Sequence, residues 1–148
     1  MAEVTLNEEA WSDFELLLNT YLSATERILQ KDKFIIPMAT ILNVSGEPQF
    51  IALQPESEGD YKDAATHLKN YRKLLRQHPE NTRACILAYD ILIDHDGFND
   101  AIGIELEHAN GTHQKMFVPY RFSGALKNKL ELGQSKLTEP DREHILSA

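Results

Sequence analysis

Two dipeptides constrain this chain more than any other feature: Asp96-Gly97 and Asn110-Gly111, each set between runs of alternating apolar and polar residues. Both tolerate the positive φ angles of a two-residue type I′ turn, whose twist matches that of the strands it joins. They predict a three-stranded antiparallel meander with a definite register. Leu87, Tyr89 and Ile91 then oppose Leu106, Ile104 and Ile102, while Ile104 faces Phe117 and Ile102 faces Pro119 across the next hairpin. One face of the sheet is apolar in that register. The other, carrying Ile86, Ala88, Asp90, Leu92, Ala101, Gly103, Glu105, Glu107, Met116, Val118 and Tyr120, is mixed, as expected of a face partly covered by a helix, a second subunit or a ligand.

Upstream, Thr5-Leu6-Asn7-Glu8 fits a capping box, and Trp11, Phe14, Leu18, Tyr21, Thr25 and Ile28 recur at spacings of three and four. An amphipathic helix ending near Lys31 to Lys33 follows. Phe34 to Val44 and Gln49 to Gln54 read as a hairpin about Ser45-Gly46-Glu47-Pro48, with the first part of its strand at an edge or just outside the ladder because Pro37 has no N–H to give. Asp60 suits the N-cap of a second helix carrying Tyr61, Ala64, Ala65, Leu68, Tyr71, Arg72 and Leu75, stopped by His78-Pro79. After Phe122, Ser123 begins a short helix with Leu126 and Leu130, and Thr138-Glu139-Pro140-Asp141 begins another.

The reading is one α+β domain over residues 1–148, with a five-stranded antiparallel sheet and helices packed on it in the order α-β-β-α-β-β-β-α. This order is similar to that of the roadblock, longin and profilin-like domains. The resemblance is one of topology alone, and it implies a sheet order of two, one, five, four, three and a tendency to act as a dimer or adaptor.

With 148 residues the chain can hold a core without disulfides, and its lone Cys85, between Ala84 and Ile86, reads as a small core residue. The net charge of -8 disfavours nucleic acid and anionic membranes, and favours a basic protein partner. The first residues have neither a cationic nor an apolar leader segment, so the expected location is the cytoplasm. No phosphate-binding glycine loop, His-Glu-x-x-His or Gly-x-Ser-x-Gly motif occurs, and no cofactor is expected.

Three constellations remain. Asp94, Asp96 and Asp100, with His95 among them, are the right ligand types for a divalent ion if the hairpin tip curls, although Phe98 stands where an EF-hand needs an oxygen. A two-residue Asn110-Gly111 turn places His108 and His113 opposite each other, with Cys85 opposite His108, a partial tetrahedral zinc set. Asp90, Glu105 and Glu107 share the mixed face with Met116 and Tyr120, close to Arg121, and offer an acidic surface with aromatic anchors for a basic partner. Pro119 marks an edge or strand exit, and the basic helix face Lys69, Arg72, Lys73 and Arg76 is either solvated or meets the acidic sheet of a second copy. The expectation is therefore a non-catalytic, homodimeric interaction module of adaptor, chaperone-like or immunity-like type, using its acidic sheet face or an edge strand. The alternative is a small metal-binding protein or metal-dependent hydrolase.

Overall fold

The computed structural model describes residues 6–32, 35, 37–51, 64–77, 81–126 and 129–139. Thr5, Asp60, Tyr61, His78-Pro79 and Pro140-Asp141, on which several expectations rest, lie outside the described residues. Among the described residues, two helices and seven strands follow in the order α1 (Leu6–Asp32), β1 (Met38–Asn43), β2 (Pro48–Ile51), α2 (Ala64–Gln77), β3 (Thr82–His95), β4 (Phe98–His108), β5 (His113–Ser123), β6 (Lys129–Leu132) and β7 (Lys136–Thr138). All pairings are antiparallel, and the sheet runs β2-β1-β3-β4-β5-β6, with β7 also on β5.

Each face of the sheet carries one helix. Ala10, Phe14, Leu17, Tyr21, Thr25 and Leu29, repeating every three or four residues along α1, are buried, and the apolar ones pack with Ile86, Ala88, Ile102, Ile104, Leu106, Met116 and Val118. Residues of opposite parity in β1 and β3, namely Ala39, Ile41, Cys85, Leu87 and Tyr89, pack under Leu68, Tyr71 and Leu75 of α2. Burial on both faces explains why the middle of β3 is an unbroken apolar run. Each fully buried Leu, Ile or Phe contributes about 1.5–3 kcal/mol relative to exposure.

The structure corrects the expected strand count and order. Gly124, at φ +90, turns the chain after Ser123, and Lys129-Leu130-Glu131-Leu132 alternates with period two, so this segment is the strand β6 where a helix was expected. Lys136-Leu137-Thr138 pairs with β5 as well. With β5 occupied on that side, β1 pairs instead with the first half of β3, and the roadblock-like order two, one, five, four, three does not occur. The dimer tendency attached to that resemblance loses its topological basis.

The expected register is also off by one, for two separate local reasons. Asp96 (φ +51) and Gly97 (φ +84) do form a two-residue turn with His95 opposite Phe98. A bulge on β3 between Leu92 and His95 then adds one residue, so Ile86 opposes Leu106, Ala88 opposes Ile104, and Asp90 opposes Ile102. At the second hairpin only Gly111 (φ +97) takes the left-handed region, while Asn110 keeps negative φ and accepts the Thr112 N–H on its Oδ1 at 2.9 Å. Gly111 N–H bonds to His108 C=O and His108 N–H to Thr112 C=O. The result is a three-residue loop with a glycine bulge, and Glu107, not His108, stands opposite His113.

Pro119 lies inside β5 and marks no edge. In an antiparallel ladder the N–H and C=O of one residue point the same way, and the Pro119 carbonyl accepts from Gly133 N–H at 2.8 Å. The missing Pro119 donor therefore falls on the side of β6 and β7. That is where the outer strand breaks, three residues separating β6 from β7 against two on β5.

Candidate functional site

The one-residue shift redistributes every residue singled out from the sequence. His108 and His113 project to opposite faces and cannot share an ion, and Cys85 opposes Glu107. Asp96 pairs with its neighbour His95 at 3.2 Å in a largely exposed contact, and Asp100 lies beside Tyr120. No three His, Cys, Asp or Glu side chains among the described residues are arranged to hold a metal. Asp90 does not share a face with Glu105 and Glu107, so the expected acidic sheet surface is absent. Asp90, Met116 and Tyr120 face α1, whereas Glu105 and Glu107 are buried on the α2 side.

Beneath α2, Arg72 Nη2 donates to Glu105 Oε2 at 2.6 Å with little solvent access to either group. The basic helix face expected to meet an acidic sheet thus does so within one chain, through its inward-facing arginine. Lys69, Lys73 and Arg76 stay on the solvent side. Cys85, in the same layer, has its thiol pushed up by burial and by the Glu107 and Glu105 carboxylates, which leaves it protonated and a poor nucleophile.

Beneath α1, Asp13 accepts from Arg83 Nε and Nη2, both at 3.0 Å, and from His108 Nε2 at 2.7 Å. Asn110 N–H donates to His108 Nδ1 at 3.0 Å. An accepting Nδ1 fixes the neutral tautomer with its proton on Nε2, directed at Asp13. Both ring nitrogens are committed to the protein, so His108 pins α1 to the β4–β5 hairpin.

Further along α1, Tyr120 Oη donates to Asp90 Oδ1 at 2.8 Å. Burial raises the Asp90 carboxyl above its ordinary range, an effect only partly offset by the Tyr120 bond, and Asp100 adds to the rise. Tyr120 is pushed up by burial and by the bond to Asp90, and burial pushes Tyr21 up to about 12. Both phenols remain neutral, and Tyr120 is the donor to Asp90.

Arg121 lies on the other side of β5. It stacks on Phe98 at 4.5 Å and donates through Nε to Glu131 Oε2 at 2.8 Å, while Ser123 Oγ donates to Glu131 Oε1 at 2.9 Å. Both contacts hold the Glu131 carboxyl below the usual range. Arg121 thereby ties the hairpin tip to β6 and fixes a carboxylate on the outermost strand.

That strand is the part of the molecule with surface left over. β6 and β7 flank β5 on one side only, and among the described residues no strand lies beyond them. Leu132 is 38% exposed and Leu137 54% exposed. Leu137 and Thr138 also line an open depression of about 510 Å³ with His113, Gln114 and Glu139. Sequence reasoning missed this edge, and missed Asp13, Arg83 and Glu131. The period-two patterns Lys-Leu-Glu-Leu and Lys-Leu-Thr were its only signal. Comparison with family models, curated proteins and solved structures finds no match for this chain, and among the described residues no helix is long and apolar enough to cross a membrane.

Proposed function

We propose that the chain is a non-catalytic protein-interaction module whose docking element is the β6–β7 edge of its sheet. The observation that carries this reading is the pair of exposed leucines, Leu132 and Leu137, on an outermost strand. An edge strand offers unpaired backbone N–H and C=O groups to an added strand, and pockets beside it select alternate side chains. The depression at Leu137 supplies such a pocket. The opposite edge, β2, starts at Pro48, which gives no backbone donor.

The internal role of the polar groups supports the same reading. Glu105, His108 and Asp90, the residues with most chemical potential in the sequence, each serve to hold helices or strands together. A basic partner received on Glu105 and Glu107 is not part of this proposal, since α2 lies over that face. The edge carries Lys129, Glu131, Lys136 and Glu139, and so suits a partner strand of mixed charge.

A photo-crosslinking side chain placed at Leu137, with a second protein carrying it at Glu15 on the outer face of α1, tests the reading in the cell of origin. Crosslinks to defined peptides from Leu137, and none from Glu15, are expected. Equal crosslinking from both positions would refute an edge-directed module.

A further inference from the structure

We infer that the strand docked on the β6–β7 edge is the same edge of a second copy, related by a two-fold axis perpendicular to the sheet. The inference rests on the edge-docking reading and names its occupant. It follows from which face each edge residue occupies. Leu130 lies opposite Phe122 and Leu137 opposite Met116, on the α1 side. Lys129, Glu131, Lys136 and Thr138 lie opposite Ser123, Arg121, Phe117 and Lys115, on the α2 side. The extra residue between β6 and β7 is what brings Glu131 and Lys136 to the same face.

Directly opposed residues of an antiparallel pair share a face, so only registers that match faces are allowed. One such register sets Leu130 against Leu137 of the second copy, Glu131 against Lys136, and Lys129 against Thr138. By symmetry each contact occurs twice. The apolar contacts then fall on the α1 side, continuous with exposed Leu132, and both ion pairs fall on the α2 side. Sliding the copies by two residues one way sets Lys129 against Lys136, a like-charge pair. Sliding them the other way sets Glu131 against Thr138 and forfeits the ion pairs. Slipping by a single residue opposes Leu130 to Lys136 across faces.

The Glu131 carboxylate is already oriented by Arg121 and Ser123, and a carboxylate has lone pairs for a further donor. The lysines and the break at Gly133 would deter an arbitrary strand, yet their order along this edge is self-complementary. An interface of one strand pair falls in the small class below about 1,200 Å², so association is reversible.

The test is the solution mass by sedimentation equilibrium across a micromolar concentration series. It compares the full chain with E131K, K136E and the double variant E131K/K136E, each checked for folding by its thermal melt. The wild type should move from one chain to two as concentration rises, each single variant should stay at one chain, and the double variant should regain two. L137E, at an exposed position that leaves the core untouched, should also stay at one chain. A wild type of one chain throughout, a dimer indifferent to L137E and to both single variants, or a folded double variant that stays monomeric overturns the inference. If the chain is monomeric while Leu137 crosslinks to another protein, the edge-docking reading stands and self-pairing falls. If neither association occurs, both fall.

Discussion

Asp13→Ala removes the acceptor at the centre of the α1 clamp. Three hydrogen bonds vanish, two from Arg83 at 3.0 Å and one from His108 at 2.7 Å. The consequences differ because the Arg83 side chain is 37% exposed and His108 only 3%. The guanidinium can turn to water, so its share is discounted as for a surface pair, to less than about 1 kcal/mol. The His108 Nε2–H has no such recourse, and an unsatisfied buried donor costs about 1–3 kcal/mol. Together Asp13→Ala should destabilise by about 1–4 kcal/mol, and the midpoint of thermal unfolding should drop by roughly 3–15 °C. Urea denaturation followed by circular dichroism at neutral pH gives the number. His108→Ala also loses ring packing against Phe14, at 6.3 Å between centroids, so the double-mutant cycle with Asp13→Ala is needed to isolate the bond. A coupling of about 1 kcal/mol or more is expected. A cost below about 0.5 kcal/mol for Asp13→Ala, with no coupling, would refute the clamp.

Three further outcomes follow from the geometry. Gly103→Ala places a Cβ 2.8 Å from Tyr89 Cε2 and 3.1 Å from Ile91 Cγ2, so one buried ring must shift; a loss of about 1–3 kcal/mol in urea melts is expected, and a neutral effect would mean that Tyr89 moves freely. Asp90 has a raised folded-state pKa, so its protonated form favours folding below the unfolded value, and this contribution is lost as pH rises through the folded pKa. Asp90→Asn should therefore keep full stability at neutral pH and flatten the acid-side profile of the melting temperature; a neutral-pH variant much weaker than wild type would contradict the assignment. Because His108 and His113 face apart, Zn²⁺ should leave the melting temperature of wild type and His113→Ala alike, whereas an upshift confined to wild type would restore the metal reading.

Much of the architecture was legible because it depends on periodicity. The three- and four-residue spacing from Trp11 to Ile28 marked α1, and the alternation around Asp96-Gly97 and Asn110-Gly111 marked β3, β4 and β5. What failed was parity, which a single inserted residue reverses. Nothing in Ile93-Asp94 announces a bulge, and Asn110 suits both a two-residue turn and the third position of a longer one. Its side-chain bond to Thr112 decides between them. Because faces alternate residue by residue, that shift moved Glu105 and Glu107 beneath α2, separated His108 from His113, and joined His108 to Asp13, ninety-five residues away in the chain. Leu126 and Leu130, four apart, imitate a helix, and only the Lys129 to Leu132 alternation favours a strand. The candidate site was illegible for the same reason, since an open edge is defined by what pairs with β5 and not by any residue of β6 or β7 alone.

Amide hydrogen exchange at low and high protein concentration reads out whether the β6–β7 edge is covered by a second strand. If the β6–β7 edge is the docking element and a second copy its occupant, amides between Lys129 and Glu139 gain protection as concentration rises, while those of β2, Gln49 to Ile51, do not change. Protection gained at β2 or on α1, with the β6–β7 amides unaltered, would contradict the account.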